Sequence, residues 1–88
     1  MANFLDGRKP DITYPCPWTY RLIGADEERV RSAVLEVIGT EAHTLVLARE
    51  SSAGRYRTLE LELVVRDEVH RVELFERFAR HPDVRFVL

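Results

Sequence analysis

The sequence has one cysteine, no excess of basic residues and no long apolar run, and each shortage excludes a class of protein. With Cys16 alone among 88 residues, no disulfide can form within the chain. The formal net charge of -2 leaves no surplus of cations for phosphates, which disfavours nucleic acid and anionic lipid as partners. No apolar run approaches the roughly 20 residues of a membrane helix. We therefore expect a cytoplasmic protein with no nucleic-acid and no membrane partner.

Sequence motifs for catalysis and metal binding are also missing. The chain contains no G-x-S-x-G, no phosphate-binding glycine loop and no pair of histidines on one helix face. His43, His70 and His81 have no metal-ligand spacing, and a C-x-x-C site would need a second cysteine. We therefore expect no motif-based catalytic residue, no metal and no cofactor.

What is present is typical of one small globular domain, since 45% of the residues are hydrophobic and 32% are charged. Residues 1–12 mix charges with Gly7 and Pro10 and show neither helical nor strand periodicity. The sequence predicts a flexible N-terminal arm over residues 1–12 and a single domain over residues 13–88.

The stretch from Tyr14 to Gly24, Y-P-C-P-W-T-Y-R-L-I-G, predicts the first and central strand. From Trp18 onward apolar and polar residues alternate with the period of a strand. Pro15 and Pro17 cannot donate to a neighbouring strand, so they are expected to precede it. Gly24 is expected to end it.

Two helices are predicted between strands. Asp26 is a suitable N-cap for a helix from about Glu27, and Gly39 is a natural residue to close it. Asp67 is expected to cap a second helix over Glu68–Arg80. The apolar stripe of the first helix is Val30, Ala33, Val34, Val37 and Ile38, and the broader apolar arc of the second is Val72, Leu74, Phe75, Phe78 and Ala79.

Three further strands complete the pattern: His43–Arg49, Tyr56–Val65 and Val84–Leu88. The order β-α-β-β-α-β with right-handed crossovers predicts an α+β, ferredoxin-like sandwich. Its four-stranded antiparallel sheet has the order 4-1-3-2, and both helices cover one face. The predicted core residues of the sheet are Trp18, Tyr20, Leu22, Leu59, Leu61, Leu63, Phe86 and Leu88.

Three blocks of sequence resemble the YbeD-like family of small bacterial proteins. They are Tyr14–Gly24, the hairpin S-S-A-G-R-Y of Ser51–Tyr56, and the ending H-P-D-V-R-F-V-L of His81–Leu88. The resemblance implies a ferredoxin-like fold related in shape to ACT regulatory domains and no assigned biochemical activity. The sequence departs from the family at Glu50, where a proline is expected, and in a shorter connection before the second strand.

The face of the sheet away from the helices is the first candidate contact surface. It is predicted to carry Arg21 and Arg85 beside Glu60 and Glu62, together with Thr19, Thr58 and Val87. One interpretation is a solvated charged face, and the other is a self-complementary patch for a homodimer. RNA binding is disfavoured, because only Tyr56 is an aromatic residue at the edge of this face and the glutamates repel phosphate.

The second candidate contact is the hairpin, where Ser51, Ser52, Gly54 and Tyr56 form either an ordinary turn or a contact for a ligand or protein partner. The third candidate is Cys16, either a packed thiol or a reactive one. Two functions remain open at this point. One is a non-enzymatic, ACT-like regulatory or binding module for a small molecule or partner protein, and the alternative is a small enzyme or acyl-transfer accessory that uses Cys16.

Overall fold

The protein folds as the sequence predicts, into a four-stranded sheet with two helices on one face. The computed structural model describes residues 12–51 and 53–88, so almost all of the predicted arm at residues 1–12, and Ser52, lie outside the described residues. The elements are Cys16–Gly24 (β1), Glu27–Ile38 (α1), Thr44–Glu50 (β2), Arg57–Val65 (β3), Glu68–Arg80 (α2) and Phe86–Val87 (β4). The strand order β2-β3-β1-β4 confirms the predicted ferredoxin-like topology.

Strands β1 and β3 form the centre of the sheet. They pair antiparallel without interruption from Cys16 opposite Val65 to Gly24 opposite Arg57. Tyr20 and Leu22 are buried on the helix side with the alternate residues of β3, Leu59, Leu61, Leu63 and Val65. The residues between them point to the opposite side, which we call the open face.

Both helices begin at the predicted caps. The Asp26 side chain accepts a hydrogen bond from the Arg29 N–H at 3.0 Å, and the Asp67 side chain accepts one from the His70 N–H at 2.7 Å. Helix α1 ends at Gly39, whose φ of 62° favours glycine. The buried residues of α1 are Val30, Ala33, Val34 and Ile38. The predicted stripe of α1 is therefore confirmed, with Val37 partly buried beside it.

The predicted arc of α2 is only partly buried. His70, Leu74 and Phe78, spaced four residues apart, are its buried positions. Val72 and Phe75, which also belong to the predicted arc, are exposed, because a helix of 3.6 residues per turn can turn only one side to the sheet. The apolar pattern of α2 could not show which side of the helix packs on the sheet, since it contains more apolar positions than one side of a helix holds.

Strand β1 begins at Cys16, two residues before the predicted alternation that starts at Trp18, and so contains Pro17, which was expected to precede the strand. Arg21 exchanges backbone hydrogen bonds with Leu88 on the β4 side, and alternate residues of a strand bond to the same side. Pro17 therefore turns its nitrogen toward the β4 side, yet β4 pairs only with Leu22 and Ile23. A proline fits there because no described strand needs its missing N–H.

The predicted faces of β4 are reversed. Val87 lies opposite Leu22 and packs against the core, whereas Phe86 lies opposite Ile23 on the open face. Leu88, opposite Arg21, is 69% exposed. The prediction that Phe86 and Leu88 are core residues and Val87 an open-face residue is wrong. Val84, with which the predicted alternation begins, is buried but lies before the strand, and a shift of one residue exchanges the faces.

Helix α2 is tied to β1 through Arg71. The Arg71 Nε donates to the Tyr14 hydroxyl at 2.9 Å, and its guanidinium lies 4.8 Å from the centre of the Trp18 ring. The Tyr20 hydroxyl donates to the Arg71 carbonyl at 2.6 Å. A cation over an indole contributes about 0.5 to 2 kcal/mol, depending on burial. Three aromatic residues of this segment therefore hold one residue of the helix.

Stability at alkaline pH tests the burial of Tyr20. Burial raises the pKa of Tyr20 from 10.0 to about 12, partly offset by the Arg71 cation. The buried phenol thus favours folding below pH 10, and this contribution is lost as the pH rises through 12. We expect the free energy of unfolding to fall by about 2 to 3 kcal/mol across that range.

Denaturant unfolding at several pH values measures this loss. Tyr20→Phe should remove it, although the variant is less stable at neutral pH because the bond to the Arg71 carbonyl is gone. Tyr56→Phe, which leaves Tyr20 in place, serves as the control. An equally steep alkaline loss in Tyr20→Phe would contradict the assignment.

Candidate functional site

Three connecting segments meet at one end of the sheet, which we call the loop end: residues 24–26, residues 51 and 53–56 between β2 and β3, and residues 81–85. The Arg57 Nη1 donates to the carbonyls of Ala25, at 3.2 Å, and Gly54, at 2.8 Å, and so joins the first two segments. A Cβ on Gly24 would lie 2.7 Å from the Asp83 carbonyl oxygen, so only glycine allows the third segment this close. The hairpin block and the C-terminal block therefore meet at one surface, beside Gly24, the last residue of the first block.

A cavity of about 410 Å³ opens between these segments. It is lined by Ala25, Asp26, Arg29, Tyr56, Pro82, Asp83 and Arg85. Asp26 is occupied as the cap of α1, and Asp83 lies 3.9 Å from the Arg29 guanidinium. Within residues 12–51 and 53–88, Arg85 forms no ion pair. The residues that line the cavity therefore include two arginines and a tyrosine, and Arg85 has no ion pair among the described residues.

Sequence reasoning missed this cavity and placed one of its residues elsewhere. Arg85 was expected on the open face beside Arg21, but the β4 neighbour of Arg21 is Leu88, and Arg85 lines the cavity instead. Arg29 and Asp83 were not predicted site residues. The sequence indicated only the hairpin block that contains Tyr56, and no spacing rule connects it with Arg29 or Asp83.

Ser51 shapes the hairpin. Its hydroxyl accepts hydrogen bonds from the N–H groups of Arg55, at 3.1 Å, and Tyr56, at 3.2 Å. Its own N–H donates to the Tyr56 carbonyl at 2.9 Å, and Gly54 adopts a φ of 68°. Tyr56, held by these bonds, lines both this cavity and a second one beside Arg49 and Thr58. Ser51 and Gly54 thus position Tyr56.

Of the other predicted residues, Arg21 and Glu60 lie directly opposite each other on the open face and form an ion pair of 3.3 Å. Glu62 lies opposite Thr19 on the same face. An exposed pair of this kind contributes about 0.2 to 1 kcal/mol. These residues lie in the middle of the open face, apart from the loop end.

Cys16 is partly buried and packs against the core at the start of β1, opposite Val65. The His70 Nδ1 accepts from the Arg66 N–H at 3.0 Å, and the His81 Nδ1 accepts from the Asp83 N–H at 3.1 Å. Both histidines therefore support local backbone. In the part of the chain that the structure describes, no three His, Cys, Asp or Glu residues are grouped as metal ligands. Nor does any helix there have the length and apolar character to cross a membrane.

The chain belongs to the DUF493 family of proteins of unknown function, whose model matches residues 9–88. It is 26% identical over 89 residues to the uncharacterized protein Cj0253 of Campylobacter jejuni, with both chains covered in full. It is 27% identical over 77 residues to an uncharacterized protein of Helicobacter pylori, which covers 85% of this chain and 87% of the relative.

Solved structures agree with the fold. The chain is similar to a solution structure of protein HP0495 from Helicobacter pylori, with a TM-score of 0.80 and 24% identity. The match covers 94% of this chain and 91% of that one. A second solution structure of HP0495 gives a TM-score of 0.64 over 98% of this chain and all of the other. At this identity the likeness establishes the fold alone.

The hairpin gives the next prediction. Ser51→Ala leaves two backbone N–H groups without their acceptor, so we expect the free energy of unfolding to fall by about 1 to 2 kcal/mol. Thermal and denaturant unfolding measure this, with Ser32→Ala, an exposed residue of α1, as the control. Unchanged stability of Ser51→Ala would show that the hydroxyl bonds do not hold the hairpin.

Proposed function

We propose that this protein is a non-enzymatic binding module that takes a small ligand with a carboxylate or phosphate group at the loop end. The observation that carries the proposal is the cavity of about 410 Å³ with Arg29, Arg85 and Tyr56 in its lining. Its volume is within the range of about 300 to 1,000 Å³ of small-molecule sites.

The chemistry of the lining favours an anionic group. Guanidinium groups bind carboxylates and phosphates through paired, charge-assisted hydrogen bonds. Asp83 beside Arg29 adds an acceptor, which suits a ligand that also carries an amino or hydroxyl group. The lining also includes Ala25 and Pro82, so we expect a small metabolite that combines an anionic group with an apolar part.

The regulatory part of the proposal rests on likeness. The three blocks of the sequence resemble the YbeD-like family, and membership of the DUF493 family is consistent with that resemblance. The ferredoxin-like topology is shared in shape with ACT regulatory domains, which is an argument from fold and not from a site. We propose on this basis that ligand binding is the module's role.

A thermal-shift screen tests the proposal. Inorganic phosphate, amino acids and acyl carboxylates form the panel, and a ligand at 100 times its dissociation constant should stabilise the fold by about 2.7 kcal/mol. The phosphate arm separates ligands bound by a phosphate group from those bound by a carboxylate.

Matched arginine variants locate the ligand. Arg29→Gln and Arg85→Gln should each abolish the shift, because each removes a guanidinium from the cavity lining. Arg66→Gln, whose residue pairs with Glu41 away from the cavity, should retain it. A panel without any shift, or a shift that survives both cavity variants, would contradict the proposal.

Alkylation tests the alternative enzyme that uses Cys16. Because the thiol packs against the core, we expect a thiol reagent to modify the native protein far more slowly than the unfolded protein. The measurement is mass spectrometry over time, with and without denaturant. Equally rapid modification of the native protein would favour a reactive cysteine and weaken the non-enzymatic proposal.

A further inference from the structure

The open face carries a row of four side chains, one each from β2, β3 and β1 and one from Leu88, the residue that follows β4. Val46 lies opposite Glu60, Glu60 lies opposite Arg21, and Arg21 exchanges backbone hydrogen bonds with Leu88. Across the sheet the row therefore has the order apolar, acidic, basic, apolar. Val46 is 53% and Leu88 69% exposed, so the apolar ends are as open to solvent as the charges between them.

This row is complementary to itself. A two-fold axis parallel to the strands and midway between β1 and β3 brings two open faces together with the strand order reversed. Glu60 then faces Arg21 of the second copy, and Arg21 faces its Glu60. In the same arrangement Val46 faces Leu88 of the second copy. Every contact between the two copies therefore joins residues of complementary chemistry. Each contact also occurs twice, as a two-fold interface requires.

The apolar end of the face is larger than one residue. Phe86, 54% exposed, lies next to Leu88 and opposite Ile23, which is partly buried. Large apolar side chains grouped on a sheet face mark interaction surfaces more often than solvated ones. Burial against a second sheet removes them from water and provides the driving force for association.

The charges determine which partner fits. A purely apolar partner would leave Arg21 and Glu60 with their single ion pair of 3.3 Å in a dehydrated interface, which is costly. A second copy gives each guanidinium two carboxylates and each carboxylate two guanidiniums. We propose that the open face is the interface of a homodimer, centred on this four-charge network.

Sedimentation or light scattering across a concentration series is the first test. From about 10 μM to about 1 mM the mass should rise from 10.3 kDa toward twice that value, and added salt should reduce association by screening the network. A mass that stays at 10.3 kDa at every concentration overturns the proposal. The open face would then be either exposed to solvent or the binding surface of a different protein.

Charge reversal gives the sharper test. Arg21→Glu places four carboxylates at the axis and Glu60→Arg four guanidiniums, so each variant alone should associate at least about tenfold more weakly than the wild type. An equimolar mixture of the two variants should form a heterodimer, because every acidic residue then faces a basic one. If the ion pair acts only within one chain, mixing the two variants should not restore association. A mixture that forms no heterodimer therefore overturns the proposal.

Two valine-to-lysine substitutions form a matched pair of test and control. Val46→Lys introduces a charge at the edge of the row and should weaken association. Val69→Lys, at a 74% exposed position on α2, should leave it unchanged. Equal effects of the two substitutions would place the interface elsewhere.

Discussion

The register between β1 and β3 is the constraint on which the rest of the structure depends. Pairing runs unbroken along both strands, and every second residue enters the core beneath the helices. Because side chains alternate with a period of two, a slip of one residue would expose Leu59 and Leu61 and bury Glu60. The burial of leucines on one side thus fixes the position of Arg21 opposite Glu60 on the other.

This register also arranges the two candidate surfaces. β1 ends at Gly24 opposite Arg57, and the Arg57 side chain reaches back to the carbonyls of Ala25 and Gly54. The loop end is therefore held by backbone contacts as well as by packing. On the open face the same register places Arg21 opposite Glu60, and the helices leave this side uncovered because they pack on the opposite one.

Local chemistry explains why much of the fold could be predicted. Asp26 and Asp67 are strong caps, and the alternation of β3 has a single interpretation, so α1, α2 and β3 follow from nearby residues. Strand β4 could not be assigned to faces in this way. Its two paired residues are too few to show alternation, and the pairing of Val87 with Leu22 decides its orientation.

The contacts of Arg71 and Arg85 lay beyond sequence reasoning for a related reason. Arg71 joins Tyr14, which lies 57 positions away along the chain, and Arg85 lines a cavity built by three segments. No spacing rule connects such residues, because their proximity is a product of the completed fold. The candidate site could be anticipated only as far as the hairpin block that contains Tyr56.

Strand β4 links the two proposals. Arg85 lines the loop-end cavity, and Phe86 and Leu88, one and three positions further along the chain, lie on the open face. The strand is held to β1 by few hydrogen bonds, among them those of Arg85 to Ile23 and Leu88 to Arg21. A ligand that engages Arg85 and a second copy that covers Leu88 would therefore act on the same short segment. Each event would restrain the segment that the other uses, because Arg85 and Leu88 are only three residues apart.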